Sequence, residues 1–326
     1  MVFELLYRVQ TVDTYGPELR AYNSTEDLAA ANGRPTALLM GDSFTAGADS
    51  SYPADLRRQL PGARIVNAAI SGTGIMQTEI VARERFARFR PKVFLYQVYV
   101  GNDLFDIRYP VNWSRVSALR NLYWLVSNHF RSIAFINYRL GQFRYEISHD
   151  RDSVQSGTAP NEPFSVGRYD SRVKAYFQAE PGLVQSSVLL QKDRVRDFAV
   201  LLDRLRHVLA RCVPGQCAAY VLVIPHCAQV TTTCLQNTRA LGATIDDSLA
   251  VEGSEYPFVA RMRSSLCDVP NLTILNPLDT LRNAERDGLS VYRANDEHLN
   301  AAGNQVLAGF LAPVLATALG ITDRHP

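Results

Sequence analysis

Five short apolar segments, rich in β-branched or aromatic residues, constrain the fold of this chain more than any other feature of its sequence. They predict buried strands at residues 36–40, 64–68, 93–100, 219–224 and 272–275. Helical patterns with an apolar stripe lie between or after them, at residues 78–89, 192–211 and 300–319. Strands that alternate with helices predict a three-layer α/β/α fold, in which helices cover both faces of a central parallel sheet of about five strands.

A long interruption separates the third predicted strand from the fourth. We interpret residues 104–191 as an insertion within a single domain that spans residues 1–326. Residues 119–140 of this insertion form an aromatic helical pattern, which predicts either a helix packed on the core, as the spacing favours, or a lid over a binding site. Residues 152–167 are rich in Ser, Pro, Gly and Asn, and this composition predicts a flexible loop.

The overall charge and the apolar content argue against two classes of partner. The 34 basic and 32 acidic residues leave a net charge of +2, without the strongly basic face that nucleic-acid binding requires. No uninterrupted apolar run reaches the roughly 18 residues needed to cross a bilayer, so we expect neither a nucleic-acid partner nor a membrane span. Residues 1–8 are largely apolar but too short for a signal peptide, although they fit the end of an anchor helix.

Cysteine spacing bears on the compartment in which the protein works. Four of the five cysteines form two close pairs that flank predicted turns, Cys212 with Cys217 and Cys227 with Cys234. This arrangement favours two disulfides, and with them an extracytoplasmic compartment, slightly over five free thiols in the cytosol. A zinc site that includes His226 is a weaker alternative, because the spacing lacks the C-x2-C pairs of structural zinc sites, and no metal is expected.

Polar motifs follow the first three predicted strands and precede the last predicted helix. Gly41-Asp42-Ser43 follows the first strand, where the Ser43 hydroxyl would be exposed at the carboxyl edge of the sheet, beside the free N–H groups of a following helix. Taken alone, this serine is explained equally well as a helix N-cap. Further motifs contain Gly72, Asn102 and the segment Asn295-Asp296-Glu297-His298. Parallel topology would bring all four motifs to one edge of the sheet.

These four motifs, in this order, resemble the SGNH or GDSL-type hydrolase superfamily of esterases and acyl-transfer enzymes, which is named for its Ser, Gly, Asn and His. The resemblance extends from about residue 36 to residue 319, and the insertion carries no family motif. It implies a flavodoxin-like sheet and no cofactor. It also implies that Ser43 is the nucleophile and His298 its general base. The N–H groups of Ser43 and Gly72 and the side-chain amide of Asn102 would form the oxyanion hole.

The acidic member of the implied catalytic triad departs from the commonest family pattern. Many members place this acid three residues before the histidine, where this chain has Asn295. Asp296, two residues before His298, matches a D-x-H variant that also occurs in envelope polysaccharide O-acetyl transferases and esterases. We therefore expect Asp296 to hold the imidazole in the correct tautomer. If Asp296 lacked the geometry to reach His298, the enzyme would work as a Ser–His dyad, because Glu297 cannot easily replace Asp296.

The function that the resemblance implies is hydrolysis of a carboxylic ester, with a short acyl group such as acetyl on a carbohydrate or another small molecule. Three alternatives stay open: O-acyl transfer to a sugar hydroxyl, a lipase or thioesterase with a long acyl pocket, and an inactive binding module. Outside the motifs, the sequence favours structural roles for His207 on a helix and for His226 near a cysteine pair. Asp103 is equally compatible with shaping its loop and with contacting substrate.

Overall fold

The computed structural model describes residues 2–9, 13–29, 33–49, 51–107, 118–149, 162–249 and 255–321. Within these ranges five strands form one sheet: Thr36–Met40 (β1), Arg64–Asn67 (β2), Val93–Tyr99 (β3), Ala218–Ile224 (β4) and Leu272–Leu275 (β5). All neighbouring strands pair in parallel, in the spatial order β2-β1-β3-β4-β5. The predicted fold class is confirmed, and each strand ends within one residue of its predicted bounds.

Helices cover both faces of this sheet. In chain order the α-helices of the described residues are Val2–Val9 (α1), Gly16–Ala21 (α2), Thr25–Leu28 (α3), Tyr52–Gln59 (α4), Ile75–Phe89 (α5), Asp103–Ile107 (α6), Ala118–His129 (α7), Arg131–His149 (α8), Ser171–Ala179 (α9), Leu183–Val188 (α10), Arg194–Leu209 (α11), Thr232–Ala240 (α12), Pro257–Ser265 (α13), Leu278–Arg286 (α14) and Ala301–Leu319 (α15). The three helices predicted from apolar periodicity correspond to α5, α11 and α15. Helix α5 begins three residues before the predicted start, because the Gln77 side chain accepts the Gly74 N–H at 3.3 Å.

The strand order determines where a ligand can bind. From β1 the chain crosses to β2 on one side and then returns to β3 on the other, so the direction of winding reverses between β1 and β3. Right-handed crossovers then place α4 on one face, in contact with α15, and α5 on the opposite face, in contact with α11. Strands β1 and β3 are buried along their whole length, as expected for a sheet covered on both sides. Ligands of such folds bind at the carboxyl ends of the strands, beside this reversal point.

The regular elements in the described part of the insertion are helices, and its aromatic segment packs on the domain. Helix α8 begins where the Glu4 carboxylate accepts the N–H groups of Arg131 and Ser132, at 3.0 and 2.8 Å. The Phe135 ring stacks on Tyr7, with ring centroids 5.3 Å apart. These contacts agree with a helix packed on the core. Residues 152–161 of the predicted flexible loop lie outside the described residues, and the division into one domain with an insertion stays a prediction.

Both predicted cysteine pairs form disulfides. Cys212 and Cys217 have Cα atoms 5.1 Å apart, and the Cα atoms of Cys227 and Cys234 are 5.7 Å apart. Cys267 is an exposed free thiol. In the described parts of the chain, one helix, Ala301–Leu319, has the length and apolar composition to cross a membrane, and 44% of that segment is buried inside the domain.

Candidate active site

The turn after β1 presents Ser43 at the carboxyl edge of the sheet. Asp42 donates its N–H to Gln97 Oε1 on β3 at 3.1 Å, and its own Oδ1 accepts the Phe44 N–H at 2.8 Å. Gly41 lies so close to Gln97 that a Cβ at this position would be 2.5 Å from Oε1. Glycine is therefore required for the close contact between this turn and β3, and the contact positions Ser43.

One expectation about this turn is wrong. The sequence predicted a helix that starts directly after Ser43 and offers its N-terminal N–H groups to the site. Instead, residues 43–45 form an isolated hydrogen-bonded turn, closed by the Ala46 N–H on Asp42 O at 2.9 Å, and α4 begins only at Tyr52. Any donor beside Ser43 is therefore a turn amide, without the dipole of a regular helix.

Ser43, His298 and Asp296 form one hydrogen-bonded chain. His298 Nε2 lies 2.7 Å from Ser43 Oγ, and His298 Nδ1 lies 2.7 Å from Asp296 Oδ1. Because an ionised carboxylate can only accept, Nδ1 carries the proton and Nε2 accepts the hydroxyl of Ser43. The Phe44 ring packs on the imidazole, with centroids 4.8 Å apart. This tautomer and orientation are those that a general base for Ser43 requires.

A short hairpin-like loop before α15 carries the histidine. Arg293 donates its N–H to His298 O at 3.0 Å, and Tyr292 and Leu299 form an antiparallel bridge. Asn300 then caps α15, since its Oδ1 accepts the Gly303 N–H at 2.8 Å. The backbone bonds and the helix cap hold the main chain on both sides of His298 without help from the side chains of Ser43 and Asp296.

Arg293 is a site residue that the sequence analysis missed. Its Nη1 donates to Asp296 Oδ2 at 3.3 Å, on the carboxylate oxygen that His298 does not use. Burial raises the pKa of Asp296, but the His298 hydrogen bond and the charges of His298 and Arg293 outweigh it, and the net pKa is lowered. Residues 293–296 lie in a non-helical loop, where three-residue spacing does not by itself bring side chains together, so the sequence offered no signal for this pair.

The pKa of His298 moves in the opposite direction. Burial lowers it, but the hydrogen bond that His298 donates to Asp296 and the negative charges of Asp296, Glu297 and Asp42 outweigh burial, so the net pKa is raised. A raised pKa stabilises the imidazolium that forms when the histidine takes a proton. It also shifts the population of the neutral imidazole, the form that can accept a proton, to higher pH.

Asn295 occupies the position where many relatives of the resembled superfamily carry their acid, and it has a structural role here. It is buried, its Oδ1 accepts the Ser165 N–H at 2.7 Å, and its Nδ2 donates to Pro163 O at 3.1 Å. These bonds tie residues 163 and 165, within the insertion, to the histidine loop. Asn295 therefore fixes the backbone from which Asp296 reaches the imidazole.

Gly72 and Asn102 lie at the same sheet edge as Ser43, after β2 and β3. Gly72 has a φ of +70°, which favours glycine. Asn102 O accepts the Asp106 N–H at 2.9 Å at the start of α6. Among the described residues, the buried Asn102 Oδ1 has no hydrogen-bond partner. The two residues are thus grouped with Ser43 by topology, and no hydrogen bond in the described structure joins either of them to it.

A small cleft opens beside Ser43, with a volume of about 220 Å³. It is lined mainly by polar side chains: Ser43, Phe44, Ala46, Ser51, Ser71, Arg293, Asp296, His298, Leu299 and Asn304. The volume suits a small group next to Ser43 Oγ. The described residues contain no cluster of three or more His, Cys, Asp or Glu side chains that could hold a metal ion.

Asp103 shapes the loop behind the site. It is buried, and its Oδ2 accepts the Tyr99 N–H at 2.9 Å. Burial raises the pKa of both Asp103 and Asp42, and the proximity of the two carboxyl groups raises that of Asp103 further. Two buried carboxyl groups in contact are compatible only when one of them keeps a proton and donates it to the other. The pair therefore links the Ser43 turn to the segment that follows β3.

Two other histidines have the structural roles that the sequence favoured. His226 is buried, its Nδ1 accepts the Ala228 N–H at 3.1 Å, and burial lowers its pKa to about 4, so it stays neutral. His207 is exposed on α11, with its Nδ1 2.8 Å from Glu79 Oε1. Neither residue lines the cleft.

Glu297 allows a test of the site's electrostatics. It is buried, and burial raises its pKa from 4.5 to about 7. The native state thus binds this proton more tightly than the unfolded state. The resulting stability is complete below the unfolded pKa and is lost as pH rises towards 7. At about 1.4 kcal/mol per pKa unit, the loss is roughly 3 kcal/mol.

We expect Glu297→Gln, which cannot ionise, to avoid this loss. Urea unfolding at about pH 4.5 and at about pH 8 gives the free energy of unfolding of wild type and of the variant at each pH. The difference between the two proteins is then compared at the two pH values. The variant should gain roughly 3 kcal/mol on wild type between the two pH values. A difference that does not change with pH would show that Glu297 is not held protonated.

No protein-family model and no curated protein matches the sequence. The fold is similar to a carbohydrate acetylesterase family member from Sinorhizobium meliloti, with 8% identity and a TM-score of 0.43, over 88% of this chain and 100% of that one. It is also similar to a catalytic mutant of an acetylxylan esterase from Geobacillus stearothermophilus (11% identity, TM-score 0.43, 90% and 97% of the two chains). A third similar structure is that of a GDSL-like lipase from Parabacteroides merdae, with 16% identity and a TM-score of 0.39, over 90% of this chain and 99% of that one. At such low identities and scores, the function has to be argued from the site itself.

Proposed function

We propose that this protein is a serine esterase of the SGNH/GDSL type, with Ser43 as nucleophile, His298 as general base and acid, and Asp296 as the residue that orients it. The observation that carries the proposal is the continuous hydrogen-bonded chain from Ser43 Oγ through both nitrogens of His298 to Asp296, at 2.7 Å for each bond. A serine hydroxyl is a weak nucleophile until a base removes its proton, and this chain supplies that base in the required tautomer.

The reaction proceeds in two halves through one covalent intermediate. Ser43 Oγ attacks the ester carbonyl carbon while its proton passes to His298 Nε2, and Asp296 stabilises the imidazolium. The tetrahedral intermediate collapses when His298 returns this proton to the leaving alcohol oxygen, which leaves an acyl group on Ser43. Water then attacks the acyl carbon and gives a proton to His298. In the final collapse His298 protonates Ser43 Oγ, and the carboxylic acid is released.

The negative charge of the tetrahedral intermediate needs donors on the side of Ser43 away from His298. We assign this role to the N–H groups of Ser43 and Gly72 and to the Asn102 side chain. The support is their common place after the carboxyl ends of β1, β2 and β3, at the edge of the sheet that carries Ser43. Such donors are most effective when they are preorganised and partly shielded from water.

Removing the Asn102 amide should impair the chemical step more than binding. We expect Asn102→Ala to lower kcat by about 10²–10³-fold with little change in KM, since an oxyanion donor acts mainly in the transition state. Steady-state kinetics on p-nitrophenyl acetate measures both constants, with thermal unfolding as a check on the fold. A kcat within threefold of wild type would remove Asn102 from the proposed oxyanion hole.

The proposed substrate is a short-chain ester, such as an acetyl ester of a carbohydrate or another small molecule. The cleft of about 220 Å³ and its polar lining support a small acyl group over a long one. The His298 side chain is 27% exposed, which gives water a route to the acyl-enzyme and supports hydrolysis over transfer to a sugar hydroxyl.

A series of p-nitrophenyl esters from acetyl to long-chain acyl tests this proposal. We expect kcat/KM to fall as the acyl chain grows beyond the room in the cleft. A rise with chain length would contradict the short-acyl assignment and favour a lipase or thioesterase. If no ester is cleaved while a fluorophosphonate probe still labels Ser43, a transferase that lacks its acceptor would be favoured. Absence of both activities would indicate a binding module.

A further inference from the structure

Arg293 brings a positive charge into the cleft that contains Ser43. Of the residues that line this cleft, Arg293, Asp296 and His298 have ionisable side chains. Asp296 and His298 belong to the proposed triad. The guanidinium of Arg293 makes one hydrogen bond within the described residues, from Nη1 to Asp296 Oδ2 at 3.3 Å. Since a guanidinium carries several N–H donors, most of them are available to a ligand.

The guanidinium is also the most exposed of these three charged groups. The side chain of Arg293 is 37% exposed, against 22% for Asp296 and 27% for His298. Both carboxylate oxygens of Asp296 already face a nitrogen donor, Oδ1 that of His298 and Oδ2 that of Arg293. A negatively charged ligand that enters the cleft therefore meets an exposed cation, while the carboxylate that would repel it is shared between two donors.

The other carboxyl groups around the site do not line the cleft. Asp42, Asp103 and Glu297 are buried, and none of them belongs to its lining. Within the lining, the positive charge of Arg293 balances the negative charge of Asp296. A singly charged anion therefore meets no net repulsion in the cleft, and Arg293 supplies a directed attraction.

A carboxylate is the anion that fits this position best. Its two oxygens accept two parallel N–H groups of a guanidinium, an arrangement that a neutral hydroxyl cannot reproduce. A phosphate carries up to twice the charge and would be repelled more strongly by Asp296. Because one small cleft of about 220 Å³ is lined by both Ser43 and Arg293, a carboxylate on Arg293 would lie within a few bonds of an ester carbonyl at Ser43.

We propose that Arg293 determines substrate specificity, and that the preferred substrates are esters with a carboxylate close to the scissile bond, on the acyl side or on the alcohol side. This inference rests on the proposed esterase activity and adds the substrate class to it. The substrate carboxylate pairs with those N–H groups of Arg293 that Asp296 does not use. The pair forms before the chemical step and is kept through it, so it lowers KM more than it raises kcat.

Pairs of esters that differ in one charge test the proposal. On the alcohol side the pair is 3-acetoxybenzoate and 3-acetoxybenzamide, and on the acyl side it is monoethyl succinate and ethyl succinamate. Titration at constant pH follows the acid released from all four esters. For each pair, the selectivity is the ratio of kcat/KM for the charged ester to kcat/KM for the neutral one. For wild type we expect a selectivity of at least about tenfold in one pair, which identifies the side, and a decrease with added salt.

Variants of Arg293 separate substrate binding from support of the triad. Because Arg293 also contacts Asp296, its loss should lower kcat on every ester, but this shared effect cancels in the selectivity. We expect Arg293→Gln to reduce the selectivity to about one, and Arg293→Lys to retain part of it, since an ammonium keeps the charge but not the paired donors. The matched control is Arg168→Gln, which removes an exposed arginine outside the cleft and should leave the selectivity unchanged.

Two outcomes would overturn this inference while the esterase proposal stands: a smaller wild-type selectivity in both pairs, and a selectivity that Arg293→Gln leaves unchanged. Circular dichroism checks that each variant is folded. If Arg293→Gln does not fold, Arg293→Lys replaces it, and a selectivity equal to that of wild type would then contradict the proposal.

A binding measurement keeps the inference testable if the esterase proposal itself fails, which is the case when no ester is cleaved. Isothermal titration of the Ser43→Ala variant with each of the four esters then measures recognition without chemistry. Tighter binding of the charged ester in one pair, lost when Arg293→Gln is added, would support a carboxylate site. Equal binding of the charged and the neutral ester in both pairs would overturn it.

Discussion

Replacing Ser43 by alanine is expected to lower kcat/KM for p-nitrophenyl acetate by about 10⁴-fold or more, because the acyl-enzyme can no longer form. The variant removes one oxygen atom from a partly exposed turn whose fold depends on Gly41, Asp42 and Gln97, so stability should hardly change. Initial rates with wild type and variant under identical conditions measure the effect, and labelling by a fluorophosphonate probe should be lost in parallel.

Ser71→Ala is the matched control for this experiment. Ser71 lines the same cleft as Ser43, but in the described structure no hydrogen bond joins it to His298. We expect its loss to change kcat/KM by less than about tenfold, since it would remove at most a binding contact. If Ser43→Ala kept near-wild-type activity, or if both serine variants lost activity equally, the assignment of Ser43 as nucleophile would be wrong.

The second large effect is expected from Asp296→Asn, which should lower kcat by up to about 10⁴-fold. An asparagine amide at this position can donate to Nδ1, which favours the tautomer with the proton on Nε2. A protonated Nε2 cannot accept the hydroxyl proton of Ser43. The variant also removes the charge that raises the His298 pKa. The acidic limb of the kcat/KM profile, which reports the neutral histidine, should therefore move to lower pH.

Glu297→Gln is the control for the aspartate variant. Like Asp296→Asn, it neutralises a carboxyl group whose charge affects His298, but the carboxylate that accepts the Nδ1 proton of His298 belongs to Asp296. We expect less than about tenfold change in kcat at about pH 8 for this control. A loss of less than about tenfold for Asp296→Asn would instead support a Ser–His dyad. An acidic limb that does not move would show that Asp296 is not the partner of the imidazole.

Much of the fold could be predicted because its signals are local. Buried strands in a doubly covered sheet are continuous apolar runs, and the residues that end them are turn formers, so all five strands lay within one residue of prediction. The two disulfides were also predictable, because each joins cysteines only five or seven residues apart. Where a prediction about the fold failed, as for the helix expected after Ser43, a tertiary contact with Gln97 on β3 had replaced the local preference.

The candidate site, like the fold, was predictable where the signals are local and unpredictable where contacts between remote segments decide. The order of the motifs predicted that Ser43, Gly72, Asn102 and His298 would meet at one edge, since parallel strands bring their carboxyl ends together. The sequence predicted Asp296 as the acid, because position 295 is an asparagine, but it could not establish whether Asp296 has the geometry to reach His298. The Asn295 side chain is hydrogen-bonded to backbone atoms of residues 163 and 165, which lie more than a hundred positions away in the chain.

The sequence by itself therefore determined the strands, their parallel arrangement and the residues that can carry ester chemistry, because periodicity, turn residues and short spacings act between near neighbours. Only the tertiary structure decided which carboxylate meets His298, that Arg293 holds its second oxygen, and that Asp42, Asp103 and Glu297 are buried with raised pKa values. Those features depend on burial and on distances between remote segments. A charge or a hydrogen bond in a folded protein acquires its strength from that environment and not from its place in the chain.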